Sequence, residues 1–365
     1  MRRLAVLISL SGEGGVERMV LNLLRELAAE PGLAVDLLLL RDESRHLREL
    51  PPQVRVVRLG VRHSAVAVPA IAGYLRRERP DALLAAKDRA GRAALVARRF
   101  ARVPVRIVIR LGTTLSEAMK DRSAVARWLR YRPIRALYGL ADGIVAVSEG
   151  VAADVVAITG LPRDRVHVIR NPVVTPDLDR LAAEPAAHPW LADASVPVLI
   201  GVGRLTRQKD FPTLLRAFAR VRRDRAARLL ILGEGRDRQA LLDQARELGV
   251  AGDVGFPGFQ TNPYAWLARA RVFVLSSAWE GSPNALTEAM ALGVPVVSTD
   301  CRSGPREVLD GGRLGPLVPV GDEEALAAAI VEALDRPVPA PVLKAAVHDY
   351  DARASARRYL AVLGL

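Results

Sequence analysis

Two glutamates with a glycine-containing helix start between them form the segment best suited to chemistry. The segment reads Glu280-Gly281-Ser282-Pro283-Asn284-Ala285-Leu286-Thr287-Glu288. It follows a short apolar run, Val272–Leu275. Glu280 falls in the loop and Glu288 about one turn into the next helix, so both carboxylates can face one side. Because the first N–H groups of a helix attract phosphate, the pattern predicts a phosphate site flanked by carboxylates that accept sugar or ribose hydroxyls.

Two cations stand at the end of another apolar run, Val198–Gly203. Arg204 follows the run directly, and Lys209 lies shortly before a helix that we predict to open at Pro212. Ligands of open α/β sheets bind beyond the carboxyl ends of the strands. An arginine fork and a lysine point charge both suit phosphate oxygens. The two cations therefore predict a diphosphate site, and the alternative is a solvated basic loop.

A third glycine-rich segment follows the first apolar run, Leu4–Ser9. Gly12, Gly14 and Gly15 would let the backbone approach a ligand closely at the start of a helix. The spacing is not G-x-G-x-x-G, and no acidic residue follows the second predicted strand in the ribose-binding place. A phosphate loop and a simple tight turn both fit this pattern.

Short apolar runs alternate with amphipathic stretches along the chain, which is typical of βα units around a parallel sheet. In the first half we predict strands over Leu4–Ser9, Val35–Leu40, Val54–Leu59, Ala82–Ala86, Val105–Arg110, Gly143–Val147 and Val166–Ile169. In the second half we predict strands over Val198–Gly203, Arg228–Leu232, Asp253–Phe256, Val272–Leu275, Val294–Ser298 and Leu317–Pro319. The sequence therefore predicts a helix-rich α/β protein.

A chain of 365 residues is expected to form two domains. Residues 173–197 are rich in proline and lack periodicity, which predicts a linker. The predicted domains are residues 1–172 and 198–340. A helical tail at 341–365 would complete the second domain or cross back to the first.

The positive charge is concentrated in the N-terminal half. The whole chain has 53 Lys and Arg against 40 Asp and Glu, a net charge of +13, and all of this excess lies before residue 176. A one-sided basic field favours an anionic partner such as nucleic acid, an anionic membrane or a phosphorylated substrate. Cys301 is the single cysteine, which excludes an internal disulfide and a cysteine-based metal site. No apolar run approaches the length of a transmembrane helix.

The segment from Gly201 to Gly321 resembles the donor-binding half of the family 4 retaining glycosyltransferases, which have the GT-B fold. The motifs that carry the resemblance are Gly201–Lys209, Leu232–Gly235, Phe256–Phe259, Glu280–Glu288, Gly293–Pro295 and Leu317–Gly321. The similarity extends into the first half through Gly14, Gly15, Arg18, Ser148–Val151 and Asn171–Val173. It implies two Rossmann-like domains with parallel sheets that face each other across a cleft.

The resemblance also implies roles for individual residues. Arg204 and Lys209 would bind the donor diphosphate and stabilise the leaving group, with Glu280 as the third catalytic residue. Glu288 would hold the ribose. The remaining donor contacts that it implies are Gly14, Gly15, Phe259, Gly281, Ser282, Asn284, Ala285 and Leu286. Family members retain the anomeric configuration and need no metal ion or other cofactor.

The implied reaction moves a hexose or N-acetylhexosamine from a UDP-sugar to a lipid-linked or polysaccharide acceptor in cell-surface glycan synthesis. The basic N-terminal half is then expected to face a phosphorylated lipid acceptor or an anionic membrane rather than nucleic acid. We expect a cytoplasmic protein that lies peripherally at the inner face of the cell membrane.

One departure from the family pattern leaves alternatives open. Many members carry a histidine after the strand that corresponds to Val105–Arg110, whereas this chain continues with Leu111-Gly112-Thr113-Thr114. Thr113, Thr114 or a backbone group would take that place, or catalysis would be weakened. The alternatives are a catalytically silent UDP-sugar-binding scaffold subunit and a GT-B-fold UDP-sugar epimerase; a Rossmann dehydrogenase is a more distant one.

Two D-x-D sequences resemble the metal-binding motif of single-domain glycosyltransferases. They are Asp177-Leu178-Asp179 and Asp349-Tyr350-Asp351. Neither follows a predicted buried strand, so we predict no metal site at either of them.

Overall fold

The protein contains two α/β units, each built on one parallel sheet. The computed structural model describes residues 1–10, 15–42, 47, 49–61, 66–120, 122–193 and 195–365. One unit comprises Met1–Pro172 together with Asp351–Leu365, and the other comprises Val173–Tyr350. The predicted class of two Rossmann-like domains is confirmed.

The first unit alternates strands with helices. Its elements are β1 (Arg2–Leu10), α1 (Gly15–Ala28), β2 (Leu33–Asp42), β3 (Val54–Arg58), α2 (Val68–Glu78), β4 (Ala82–Ala85), α3 (Asp88–Ala101), β5 (Arg106–Leu111), α4 (Ala124–Tyr138), β6 (Gly143–Ala146), α5 (Glu149–Thr159) and β7 (Val166–Val168). The strand order is β3-β2-β1-β4-β5-β6-β7, so it reverses between β1 and β4. Parallel sheets bind ligands beyond the carboxyl ends of strands at such a reversal.

The second unit repeats this arrangement. Its elements are α6 (Leu178–Ala183), α7 (Pro189–Ala192), β8 (Val198–Val202), α8 (Phe211–Asp224), β9 (Arg228–Leu232), α9 (Arg238–Glu247), β10 (Val254–Gly258), α10 (Tyr264–Leu267), β11 (Val272–Leu275), α11 (Asn284–Ala291), β12 (Val296–Thr299), α12 (Pro305–Val308), β13 (Leu317–Val318), α13 (Glu323–Asp335) and α14 (Ala340–Ala346). The strand order is β10-β9-β8-β11-β12-β13, which reverses between β8 and β11. The loops after β8 and β11 are therefore the expected ligand loops.

Burial explains why the sequence forms these elements. Every residue of β4, β6, β11 and β12 is buried, as expected for central parallel strands covered by helices on both faces. Helix α8 has a proline in its first turn and buries one apolar stripe that includes Leu214, Phe218 and Val221. Leucine, valine, isoleucine and alanine supply most of both cores.

Two stretches at the predicted domain boundaries belong to particular units. Residues 173–197, assigned to a linker by the sequence analysis, lie in the second unit, where α6 and α7 pack through Leu178 and Trp190. The last helix, α15 (Ala352–Leu363), belongs to the first unit. There Tyr359 and Leu363 join the core beneath α1, and Arg106 Nε donates to Val362 O over 2.9 Å. The tail thus divides at Asp351, because α14 stays with the second unit.

Candidate active site

The two strands at the reversal in the second unit bring Lys209 and Glu280 together. Lys209 Nζ lies 2.6 Å from Glu280 Oε1, and Ser277 Oγ donates to the same carboxylate oxygen over 2.7 Å. The Lys209 side chain is 17% exposed and that of Glu280 is 7% exposed. The pair is therefore largely shielded from solvent, although part of the Lys209 side chain remains exposed to solvent. Ser277 was not among the predicted site residues.

Hydrogen bonds fix the loops after β8 and β11 against each other. Ala278 N donates to Gln208 O over 2.8 Å, and Gln208 Nε2 donates to Trp279 O over 3.0 Å. Ser276 Oγ donates to Lys209 O over 2.8 Å. These hydrogen bonds join the two loops at Gln208 and at Lys209 itself. The Lys209 ammonium is therefore positioned before any ligand binds.

Close backbone approaches hold the β8 loop from the other side. Gly233, which follows β9, has φ +138°, and a Cβ there would lie 2.0 Å from Gly203 O. A Cβ on Gly203 would in turn lie 2.7 Å from Lys209 Cε, so the lysine stem runs along the bare backbone of this glycine. Only glycine fits at position 233, and at position 203 a side chain would displace the lysine stem, which explains two of the glycines in the sequence motifs.

Arg204 presents its guanidinium to solvent. Its side chain is exposed, and no described residue forms an ion pair with it. The backbone turns immediately afterwards, with Thr206 N donating to Arg204 O over 2.8 Å and Lys209 N to Thr206 O over 2.9 Å. The turn places two cations after one strand: Arg204 is exposed, and Lys209 is held by a carboxylate.

Helix α11 begins four residues after Glu280, and its start carries most of the other predicted donor contacts. Gly281 is buried, and Asn284 and Ala285 are half-buried. Ser282 Oγ is buried and accepts or donates no hydrogen bond among the described residues. Glu288 is 7% exposed and lies one turn into the helix, as predicted. The geometry places a polar hydroxyl and a helix N-terminus next to the Lys209–Glu280 pair.

Leu286 is an exception among the predicted donor contacts. Its side chain is fully buried in the core of the second unit, and its N–H donates to Pro283 O over 3.0 Å. Position 286 lies on the inward face of α11 together with Ala289 and Met290. The structure therefore gives the Leu286 side chain a packing role, and its place among the donor contacts stays a prediction.

The other predicted contacts are more scattered. Phe259 is half-buried directly after β10 in the second unit. Gly15 begins α1 in the first unit, and Gly14 lies outside the described residues. Cys301 is buried in this region, where burial and then the Glu280 carboxylate raise the pKa of its thiol to about 12. This thiol is therefore neutral at physiological pH.

In the first unit, Arg110 near the end of β5 is buried. Arg110 is 2% exposed and donates through its terminal NH2 to Asn171 Oδ1 over 2.7 Å. Burial lowers the pKa of Arg110, and the neighbouring Tyr359 and Glu17 partly offset this. Thr114 is also buried and Thr113 is exposed, so only Thr113 presents its hydroxyl to solvent there.

The two D-x-D sequences each have an aspartate directly before a helix. Asp351 Oδ1 accepts from Ala354 N over 2.8 Å at the start of α15. Asp177 precedes α6 and lies 3.4 Å from Arg180 Nε. Within the described ranges, no three or more His, Cys, Asp or Glu residues cluster in a way that could hold a metal ion.

Two family models match the chain. One, described as glycosyl transferases group 1, matches residues 196–336, and the other, a glycosyl transferase 4-like domain, matches residues 14–172. Together they span both units.

Several known proteins are similar over different lengths. An N-acetylgalactosamine-N,N'-diacetylbacillosaminyl-diphospho-undecaprenol 4-alpha-N-acetylgalactosaminyltransferase from Campylobacter jejuni is 31% identical over 339 residues, 89% of this chain and 88% of that protein. An uncharacterized glycosyltransferase from Methanocaldococcus jannaschii is 37% identical over 151 residues, which are 40% of this chain and only 37% of that protein. The solved structure of Anabaena HepE in complex with UDP superimposes with a TM-score of 0.78 at 19% identity and covers 100% of both chains, so it shares the fold.

Proposed function

The chain belongs to the group 1 glycosyltransferases, and from that membership we propose that it moves a hexose or N-acetylhexosamine from a UDP-sugar to a lipid-linked or polysaccharide acceptor. The observation that carries the proposal is the Lys209–Glu280 contact of 2.6 Å at the carboxyl ends of β8 and β11, beside the start of α11. The Campylobacter relative supports the acceptor class, because its name describes a diphospho-undecaprenol-linked substrate.

The reaction breaks the bond between the anomeric carbon and the UDP phosphate. Negative charge then grows on the leaving diphosphate, and a fixed cation that meets this charge lowers the barrier. Lys209 is pre-positioned for this role by Glu280, and Arg204 supplies a second cation that is free to reach the phosphates. Because these side chains provide the positive charge, the proposed reaction needs no metal ion or other cofactor.

Glu280 is proposed to bind sugar hydroxyls rather than to attack carbon. One of its oxygens already accepts from Lys209 and Ser277, and this lowers its nucleophilicity. The acceptor hydroxyl would then enter on the face from which UDP leaves, which retains the anomeric configuration. Glu288 is proposed to accept the ribose hydroxyls, and Ser282, Asn284 and Ala285 to line the phosphates.

The protein is further proposed to work peripherally at the inner face of the cell membrane, with the basic N-terminal half toward anionic lipid. No helix within the described ranges is both long and apolar enough to cross a bilayer. An acceptor carried on a lipid would keep the substrate at that surface.

A donor and acceptor screen tests the proposal. The purified chain is incubated with radiolabelled UDP-hexoses and UDP-N-acetylhexosamines, with or without a diphospho-lipid acceptor, in excess chelator. Transfer in chelator with an α-linked product by NMR is the expected result. UDP binding without transfer to any acceptor would favour the scaffold subunit, and a changed sugar without an acceptor would favour the epimerase.

A further inference from the structure

Helix α4 of the first unit carries an exposed apolar face. Val125 is 67% exposed, Trp128 is 52% exposed and Leu129 is 58% exposed. Their spacing of three and four residues puts them on one side of the helix, and the exposed Arg132 falls on the same side. Single exposed apolar residues are ordinary, but three neighbours including a tryptophan form a patch.

The segment that contains this helix is rich in arginine. From residue 122 to residue 140 the sequence contains five arginines and no acidic residue. Arg122, Arg127 and Arg132 are exposed, and none of them forms an ion pair with any described residue. The Arg132 guanidinium lies 5.2 Å from the centre of the Trp128 ring, so cationic and apolar surface are continuous there.

The opposite face of α4 is fixed to the unit. Arg130 lies 2.7 Å from the buried Asp88, and Tyr138 Oη donates to the same carboxylate over 2.8 Å. Ile134 is fully buried, and Arg135 Nε donates to Ile158 O over 2.7 Å. Helix α4 therefore already packs one face against the core of the first unit. The exposed apolar residues form a second, separate face.

We propose that this face of α4 docks on an anionic lipid bilayer. Its outward residues are Val125, Trp128, Leu129 and Arg132, and the exposed Arg122 lies just before the helix. A helix that lies in the interface buries apolar side chains just below the headgroups and keeps arginines at the level of lipid phosphates. Tryptophan favours this boundary, since its ring is apolar and its N–H is polar. A second copy of this chain fits less well, because a symmetric contact would bring the same uncompensated arginines together.

This inference rests on the proposed function only for its purpose, since a lipid-linked acceptor would be reached from such a surface. Docking itself needs no donor and no transfer. The two ideas can therefore fail separately: loss of vesicle binding with intact transfer to a water-soluble acceptor contradicts the docking face alone.

Vesicle co-sedimentation tests the docking face. The full chain is mixed with vesicles of phosphatidylcholine alone or of phosphatidylcholine with an equal share of phosphatidylglycerol, at low and high salt. We expect binding to the anionic vesicles that weakens with salt and a blue shift of tryptophan emission that Trp128→Phe removes. Each of Arg122→Gln and Arg132→Gln should weaken binding about fivefold.

The apolar component is tested with a double variant. Trp128→Ser with Leu129→Ser should weaken vesicle binding at least about tenfold. The matched apolar control is Val320→Ser with Val342→Ser, two exposed valines of the second unit. The matched charge controls are the single variants Arg236→Gln and Arg246→Gln, each of which changes net charge by the same one unit and lies in the second unit. All of these controls should bind vesicles as the parent chain does.

Two outcomes would overturn the proposal. One is vesicle binding that is equal in the parent chain, in the arginine variants and in the apolar double variant. The other is a chain that ignores vesicles but forms dimers in sedimentation velocity that the α4 variants dissociate, which would make this face an interface between copies. Denaturant unfolding of the full chain, unchanged in every α4 variant, verifies that the variants are folded.

Discussion

The carboxyl edges of the two sheets place a cation in similar positions and use it in opposite ways. In the second unit, Lys209 follows β8, is 17% exposed and is held by Glu280 with access to solvent. In the first unit, Arg110 is the second-last residue of β5, is 2% exposed and is held by a buried hydrogen bond to Asn171. A charged residue at a strand end therefore does not by itself indicate a catalytic site. A ligand can reach the charged group only if its protein partners leave part of it exposed to solvent.

The partners explain the difference. Lys209 is bound by a carboxylate at the mouth of two loops, and Gly203 leaves room along its stem. Arg110 lies beneath Gly112, where a Cβ would come within 2.6 Å of its guanidinium, and next to Tyr359 of α15. We therefore expect the second unit's cation to serve catalysis and the first unit's cation to serve stability. The following predictions test that division, from the largest expected effect to the smallest.

Lys209→Ala should lower turnover by ~10²–10³, because one preorganised donor to a growing negative charge is worth about that much. Lys209→Arg should recover part of the loss, since it restores the charge but not the point-like geometry. Steady-state transfer with saturating donor measures both. Lys344→Ala, an exposed lysine in the same unit, is the control and should leave turnover unchanged. Unchanged turnover in Lys209→Ala would remove this side chain from the mechanism.

Arg110→Ala should lower the free energy of unfolding by about 2–4 kcal/mol, because a large buried side chain is lost and its hydrogen bond to Asn171 with it. Denaturant unfolding measures this, and UDP affinity should stay at the parent value. Arg106→Ala, an exposed arginine of the same strand, should cost about 1 kcal/mol or less. The division between units breaks if Arg110→Ala keeps full stability and loses transfer.

Glu288→Gln should weaken UDP binding about tenfold, because a carboxylate accepts hydroxyl hydrogen bonds more strongly than an amide does. The sharper readout compares UDP with its 2′,3′-dideoxy analogue. The parent chain should prefer UDP, and the variant should lose most of that preference. Glu324→Gln, an exposed glutamate of α13, provides the charge-matched control. An undiminished preference in Glu288→Gln would place the ribose elsewhere.

Asp36 gives the smallest expected effect and concerns a buried charge of the first unit. Burial raises its pKa, but hydrogen bonds from Arg55, Tyr74 and Arg3 outweigh burial and lower the pKa below 3.8. A lowered pKa in the folded state adds stability above the unfolded value, and this stability is lost as the pH falls through the folded value.

The difference in unfolding free energy between the parent chain and Asp36→Asn should therefore be about 1 kcal/mol or more at pH 7 and shrink below pH 4. Denaturant titrations across pH 2–7 measure it. Glu49→Gln, which changes an exposed glutamate near Arg25, is the control and should change the free energy of unfolding at pH 7 by about 1 kcal/mol or less. A difference that grows toward acid would contradict the sign.

Much of the architecture could be predicted from the sequence. Short apolar runs bounded by turns predicted every strand of both sheets, because central parallel strands are buried on both faces and read as continuous apolar segments. A helical tail was predicted at 341–365, and α15 occupies Ala352–Leu363 of that range. The proline-rich stretch 173–197 shows the limit: turn composition excludes long helices, but α6 and α7 are short enough to pack there.

The site was predicted in part, for similar reasons. Arg204, Lys209 and Glu280 follow strands whose order reverses, so composition and position agreed. The packing role of the Leu286 side chain was not predicted, because a motif specifies residues in sequence, whereas the helix phase turns this side chain into the core. Ser277 could have been suggested by the Ser276-Ser277 step directly after β11. The burial of Arg110 gave no local signal, since its partners Asn171 and Tyr359 are distant in the chain.

The inclusion of α15 in the first unit has a consequence for synthesis on the ribosome. The first unit begins with Met1 and gains Tyr359 and Leu363 only after the whole second unit has been translated. A nascent chain that has emerged as far as Tyr350 can therefore complete the second core while a slot beside α1 and β5 stays unfilled. The first unit is therefore synthesised first but completed last. A chaperone that shields nascent apolar surface would bind at the unfilled surface beside α1 and β5.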